Sequence, residues 1–324
     1  MFGGLEKWLY LCGVLVMYNT STLQYHNIHR QTIMKKTILT FVFLFAAVLC
    51  CNAQIFWKIT GNGLSRPSYL LGTHHVAPVE VLDSLEGFSD ILAGVDKVYG
   101  EMVMSEAMSL AGQQVMAMAA MAPSDSTLSK VLAPAQMDSL TTVLRRYMGP
   151  QVSAEAFEPL KPSMVSTVLA MAQSQVAFPG FDSSRQLDGV VQERAAALGK
   201  EIGGFENINE QCAVLFGGSI SSQVEDLLEV VRHDDQAVDM AKKLAQAYMS
   251  GDLNAILSIL ENPEFTTPEA TDRLINKRNL NWMRVLSALL PTASVLIAVG
   301  AGHLPGEKGL ISLLRKDGYT VEKI

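Results

Sequence analysis

Cysteine is nearly absent where it would matter. Of the four cysteines in the 324-residue chain, only Cys212 lies beyond residue 53. That part of the chain can form no internal disulfide, so its stability must come from a buried core. Histidine is scarce too: beyond residue 53 there are only His74, His75, His233 and His303. Nothing in that region is apolar enough to span a bilayer. Positive charge is also short. Removing Glu6, Lys7, Arg30, Lys35 and Lys36 from the 25 Lys+Arg and 32 Asp+Glu leaves 21 and 31, a net charge near −10. This balance argues against nucleic acid and anionic membrane surfaces as partners. There is no H-E-x-x-H, so the chain is not an ordinary zincin. Without a G-x-S-x-G elbow, a Ser-His-Asp hydrolase is unsupported. No Walker or dinucleotide loop occurs, because Gly61-Asn62-Gly63 lacks the following helix. Cys212 falls in an expected helix, as a buried side chain rather than a nucleophile.

The first 53 residues read as targeting rather than fold. Met34-Lys35-Lys36 is a basic n-region, Thr37 to Leu49 an apolar h-region, and Cys51-Asn52-Ala53 a small-residue cleavage site, which makes Gln54 the first mature residue. A signal peptide behind 33 residues is unusual, so residues 1–33 are expected to be a gene-model extension. The alternative is a true anchor over Trp8 to Met17, too short to cross a bilayer. Cys50 and Cys51 suggest a lipoprotein, but Ala47-Val48-Leu49 lacks the small residue a lipobox needs before its cysteine. The expectation is secretion to the periplasm or beyond, with residues 54–324 as one domain.

What the sequence does contain is a repeated form. Gly72-Thr73-His74-His75 and Gly300-Ala301-Gly302-His303 both read G-x-x-H, and each follows an apolar run of strand type. Glycine permits a sharp turn or a close approach, and loops at strand ends carry function more often than strands do. Imidazole is the commonest metal ligand and titrates nearest neutral pH. One such motif says little, since histidine is more often structural than catalytic. Two copies at opposite ends of one sheet say more.

The pattern predicts a hairpin of strands over 55–59 and 68–71, a helix over about 81–92, and a strand at 97–99 ending in Gly100-Glu101. Residues 102–178 form a Met- and Ala-rich lobe of several helices. Its methionines (Met102, Met104, Met108, Met116, Met118 and Met121) either make an adaptable binding surface or, more commonly, fill a core. Then come a helix over 188–198, a strand over 200–205 followed by Glu206, helices over 208–260, a long helix over about 268–289, a strand over 294–299, a helix over 307–316 and a closing strand. The fold class is α/β, with a central mixed sheet formed by both chain ends, flanked by helices, and a helical middle lobe.

His75, Glu101, Glu206 and His303 would then stand at strand ends, where open α/β sheets bind ligands. Two imidazoles with one or two carboxylates suit Zn²⁺, Mn²⁺ or Co²⁺ and hydrolysis by an activated water. His233 reads as a solvated helix boundary. Arg278 and Asn279 lie in mid-helix, and without further context they read as surface residues beside a packing aromatic, Trp282.

Several stretches in order carry a resemblance. They are Phe56-Trp57-Lys58, Pro67 to His75, Tyr99-Gly100-Glu101, Leu187-Asp188, Gly204-Phe205-Glu206 with Glu210-Gln211, Lys277-Arg278-Asn279 with Trp282, and Val299 to Gly306 with Gly318-Tyr319. Over residues 54–324 the chain resembles the TraB/PrgY/GumN family. That family is related to the membrane-tethered Tiki metalloproteases and more distantly to ChaN and erythromycin-esterase-like folds. The resemblance implies a divalent metal, Mn²⁺ or Co²⁺, held by His75, Glu101 and His303. It places Glu206, Arg278 and Asn279 at further signature positions. His74 departs from the apolar residue expected there and could be an extra ligand or a supporting group.

Two functions compete. The first is a secreted metal-dependent peptidase in which Glu101 or Glu206, whichever is not a ligand, serves as general base and Arg278 holds a substrate carboxylate or oxyanion. The second is a non-enzymatic protein of the cell envelope that sequesters a peptide or haem-like ligand.

Overall fold

The computed structural model describes residues 55–178, 181–182, 185–263 and 266–324. The expected signal peptide and the extension before it lie outside the described residues.

Six strands form one sheet: β1 (Phe56–Gly61), β2 (Ser68–Thr73), β3 (Lys97–Gly100), β4 (Glu201–Gly204), β5 (Val295–Gly300) and β6 (Tyr319–Lys323), in the order β4-β3-β5-β2-β1-β6. The sheet is mixed and both chain ends enter it, as expected. β1 pairs antiparallel with β2 and β6, whereas β2, β5, β3 and β4 run parallel. A tight turn joins β1 and β2. Gly61, Asn62 and Gly63 all have positive φ, at 79°, 45° and 79°, which explains two glycines there. β5 is central, and Val295 through Val299 are all buried, so both faces of the sheet are covered. This is why that run is apolar without alternation.

The main core gathers β1, β2, β3 and β5 with Phe88, Leu187, Trp282 and Leu310. A second core, around Leu128, Leu140, Leu144, Val165, Leu169 and Leu227, holds the helical lobe. The helices within 102–178 do not close this lobe alone. Pro162–Ala177 packs on Ile220–Arg232 and Asp234–Ser250, and Leu110–Ala120 packs on Ile208–Phe216. At its centre the buried Asp234 accepts from Tyr147 Oη at 2.6 Å and Gln173 Nε2 at 2.9 Å.

Three expectations need correction. The helix expected over 81–92 is two, Val81–Ser84 and Phe88–Gly94, separated where Gly87 takes φ 68°. The long helix near 268–289 is interrupted by a π turn, Asp272–Asn276. Most of the methionines do not fill a core: none of the six is buried, Met108 and Met118 are largely exposed, and Met116 alone of the six flanks the small core of Ala120, Cys212 and Phe216. Among the described residues no helix is long and apolar enough to cross a membrane.

Candidate functional site

The four parallel strands deliver polar residues to one edge of the sheet. β2 runs into His74 and His75, β3 into Glu101, β4 into Phe205 and Glu206, and β5 into a 3-10 turn, Ala301–His303. The β3–β4 ladder continues past the strands. Phe205 N–H donates to Gly100 O at 3.1 Å and Glu206 N–H to Glu101 O at 2.8 Å, which sets the two glutamates side by side. Gly300 N–H donates to Glu101 Oε1 at 3.0 Å. A Cβ on Gly300 would lie 3.1 Å from that oxygen, while its φ of −48° is ordinary. The glycine serves close approach, not the turn.

Arg278 ties the two carboxylates together. Its Nε donates to Glu206 Oε1 at 2.7 Å, and Nη2 to Glu206 Oε2 at 2.9 Å and Glu101 Oε2 at 2.5 Å. Nη1 donates to Leu274 O at 3.1 Å, a carbonyl of the π turn. Trp282 Nε1 adds a bond to Glu206 Oε1 at 2.9 Å, and Gln211 Nε2 one to Glu206 Oε2 at 2.9 Å. The surface reading of Arg278 and Asn279 is therefore corrected, since both are buried, and Trp282 packs beside them as expected. A buried guanidinium requires carboxylate partners, and the two that strands β3 and β4 supply are here. Asn207 sets the far side. Its side chain caps the helix Ile208–Phe216 and Glu210 closes the capping box, which turns Gln211 toward Glu206.

The two G-x-x-H histidines are each held through Nδ1. His75 Nδ1 lies 2.8 Å from Asp188 Oδ2. A carboxylate only accepts, so Nδ1 carries the proton and Nε2 is left for a ligand. Asp188, in the first turn of the helix Leu187–Ala197, also accepts from Thr73 Oγ1 at 2.5 Å. His303 Nδ1 lies 2.7 Å from Asn279 Oδ1. The Asn279 amide is fixed because its Nδ2 donates to His303 O at 3.1 Å and Lys308 O at 2.8 Å. His303 Nδ1 must therefore donate, and its Nε2 lone pair faces Arg278 Nη1 at 3.2 Å and Glu101 Oε1 at 3.7 Å.

Charge follows environment. Asp188 draws the His75 imidazole up to about 9 by its charge and its hydrogen bond, although 57% of that side chain is exposed and water screens the pair. Burial pushes His303 down to about 4, against the pull of Glu101. Burial alone would raise Glu101. Electrostatic attraction to His303, Arg278 and His75 and the Gly300 N–H outweigh it, and the carboxyl stays ionised. His74 is pushed down to about 4, by burial first, and packs between Phe178 and Tyr248 with ring centroids 5.4 and 5.3 Å away.

The donor set fits a divalent ion in its chemistry. Glu101 Oε1 and His303 Nε2, 3.7 Å apart, could share one ion at about 2.1 Å from each. His75 and Glu101 line one cavity. Two imidazoles fixed through Nδ1 by a carboxylate and an amide have the partners that orient histidines around metal ions. Among the described residues, no three His, Cys, Asp or Glu side chains are gathered as they would be around an ion, and Arg278 Nη1 sits on the His303 lone pair.

That cavity, of about 510 Å³, runs from His75, Glu101 and Asp188 out to Met102, Met104, Met108, Met116, Met121 and Met164. Asp188 and Gln211 were not singled out as site residues from the sequence, and neither was Gln192, which clamps the segment after Glu101. Gln192 Nε2 donates to Met102 O at 2.8 Å, and its Oε1 accepts from Met104 N–H at 2.9 Å.

The model of the TraB/PrgY/gumN family matches residues 55–323. Among curated proteins, the chain is 32% identical over 164 residues to "Metalloprotease TIKI2" of Danio rerio, covering 42% of this chain and 32% of that one. It is 25% identical over 305 residues to "Metalloprotease TIKI1" of Danio rerio, covering 79% and 60%. It is 27% identical over 164 residues to "Metalloprotease TIKI1" of Homo sapiens, covering 42% and 32%. In each case the chain covers less than two thirds of the relative's length. No solved structure matches it.

Proposed function

Since the chain belongs to the TraB/PrgY/gumN family, we propose that it is a secreted, divalent-metal-dependent hydrolase acting on peptide bonds. The observation that carries this reading is the paired tautomer. Both G-x-x-H histidines have Nδ1 committed to a protein acceptor, which turns Nε2 toward the carboxyl edge of the sheet, open at His75 and against Arg278 Nη1 at His303. The names of the metalloprotease relatives support it.

His75, Glu101 and His303 would hold the ion: manganese, cobalt or zinc. When bound, it would polarise the scissile carbonyl and lower the pKa of a coordinated water. The chain's own residues prepare that chemistry. Asp188 and Asn279 hold the imidazoles in the tautomer that binds. Glu101 stays ionised and offers Oε1 toward the ion. Glu101 would accept the proton of that water only if it does not itself ligate the ion, and Glu206, whose two oxygens already accept four hydrogen bonds, is poorly placed for that role. Glu206 is assigned to holding Arg278. Arg278 is committed to both glutamates, so it positions Glu101 rather than binding a substrate carboxylate. Binding an ion at His303 Nε2 requires Arg278 Nη1 to give up that lone pair, which Leu274 O can help it do.

The test is elemental analysis of the purified protein after Mn²⁺, Co²⁺ or Zn²⁺ loading, beside the His75→Ala/His303→Ala double variant. About one ion per chain is expected, absent from the variant, together with peptide hydrolysis that the variant lacks. Full hydrolysis in either single His→Ala variant would sink the assignment. No ion in either protein would favour the sequestering protein that binds peptide or haem without cutting.

A further inference from the structure

The cavity beside Glu101 has a wall of one kind. Its charged lining residues are those of the site itself, His75, Glu101 and Asp188, and the rest is mostly methionine and alanine. A second cavity, of about 350 Å³, shares Met104, Met108, Gln186 and Gln192 with it and continues past Val190 to Ile202. Met108, which lines both cavities, is 66% exposed, and Leu110 and Met118, on the helix that supplies Met116, Ala117 and Ala120 to the wall, are 76% and 77% exposed. A soluble chain gains nothing by leaving such side chains in water unless something covers them. Methionine is flexible and polarisable, so a wall of it adapts to apolar groups of differing shape.

We infer that this track is the substrate cleft, and that it takes an extended polypeptide segment placing a large apolar side chain against the methionines beside the scissile bond. The inference rests on the hydrolase reading and names the substrate class for it. Two observations choose the occupant. In the cavity beside Glu101 the lining carboxylates Glu101 and Asp188 would repel an acidic side chain, and the one lining cation there, His75, is already paired with Asp188. Arg185 lines only the second cavity, together with Glu193, so the part of the track beside the site selects apolar over anionic residues. Gln186, which lines both cavities, makes no side-chain hydrogen bond among the described residues, and the Oε1 of the cavity-lining Gln211 accepts none either. Free amide groups along an apolar wall match the alternating donors and acceptors of a peptide backbone. A fatty acyl chain offers them nothing.

The test labels the methionine methyls of the whole protein with carbon-13 and follows them by NMR. The probes are a capped five-residue peptide with leucine at its centre, the same peptide with glutamate there, and decanoate. The leucine peptide should shift the methyls of Met104, Met108, Met116 and Met164 and leave Met137, in the second core, unmoved. It should bind at least about tenfold more tightly than the glutamate peptide. Met104→Gln/Met116→Gln should weaken it by about tenfold, with an unchanged Met137 signal showing that the fold is intact. The inference fails if the two peptides bind alike, if those methyls stay still, or if decanoate binds the same methyls more tightly than the leucine peptide. Binding is read without turnover. Peptides that are cut without moving these methyls would overturn the cleft and spare the hydrolase, whereas peptides that bind here uncut would do the reverse.

Discussion

The two G-x-x-H motifs have the same form and opposite surroundings. His75 stands open to the cavity with 57% of its side chain exposed and a carboxylate, Asp188, on its Nδ1. The His303 side chain is 4% exposed, has an amide, Asn279, on its Nδ1 and lies 4.4 Å from the Trp282 ring. One imidazole is drawn up to about 9 and the other pushed down to about 4. The motif fixes only where the histidine stands. Burial and the Nδ1 partner, which lie far off in sequence, fix its charge. A charged partner suits an exposed ring, because water shares the cost of the charge. Deep beside Arg278, a neutral partner avoids burying one more ion.

On this comparison the His303 side is built into the fold and the His75 side is attached to it. The largest expected effect is on the buried side. Arg278→Leu leaves Glu101 and Glu206 buried without their cation, and chemical denaturation should show a loss of about 3–5 kcal/mol. A loss below about 1 kcal/mol would mean that water reaches these carboxylates and that the buried side is not the rigid one. Next is Asn279→Ala, which strands the His303 Nδ1–H and two backbone carbonyls. It should cost about 2–4 kcal/mol by the same measurement. Asp188→Ala removes the corresponding partner of His75. Although it deletes a charge, it should cost only about 1–2 kcal/mol, because the exposed imidazole turns to water. If Asp188→Ala proved costlier than Asn279→Ala, the comparison would be inverted.

Much of this was legible in the sequence because strand ends announce themselves. Apolar runs that stop at Gly72, Gly100, Gly204 and Gly300 place His75, Glu101, Glu206 and His303 along one edge, and the sheet order brings these ends together. The order of motifs also pointed to the family. Pairing was not legible. Asp188 sits in a helix 113 residues from His75, and periodicity reports which face of a helix is apolar, not what its polar residues meet. Arg278 read as surface charge for the same reason, since its burial depends on Glu101 and Glu206, 177 and 72 residues away. The methionines misled in the other direction. Their composition resembles a core, and only the packing of Leu110–Ala120 on Ile208–Phe216 shows that they line the space beside the site.

The smallest expected effect on stability belongs to the most important side chain. His75→Ala removes an exposed ring whose one side-chain hydrogen bond among the described residues goes to Asp188. Asp188 keeps its bond from Thr73 and its place in the first turn of a helix, where the peptide dipoles favour a carboxylate. Thermal and chemical unfolding should therefore match the parent to within about 0.5 kcal/mol. His303→Ala should not match, because it opens a space against Trp282 and unpairs Asn279 and Arg278. The His75 variant is consequently the one in which lost metal can be assigned to a lost ligand instead of a lost fold. A His75→Ala protein as destabilised as His303→Ala would show both motifs to be structural supports and remove the reason for treating the exposed one as the working end of the site.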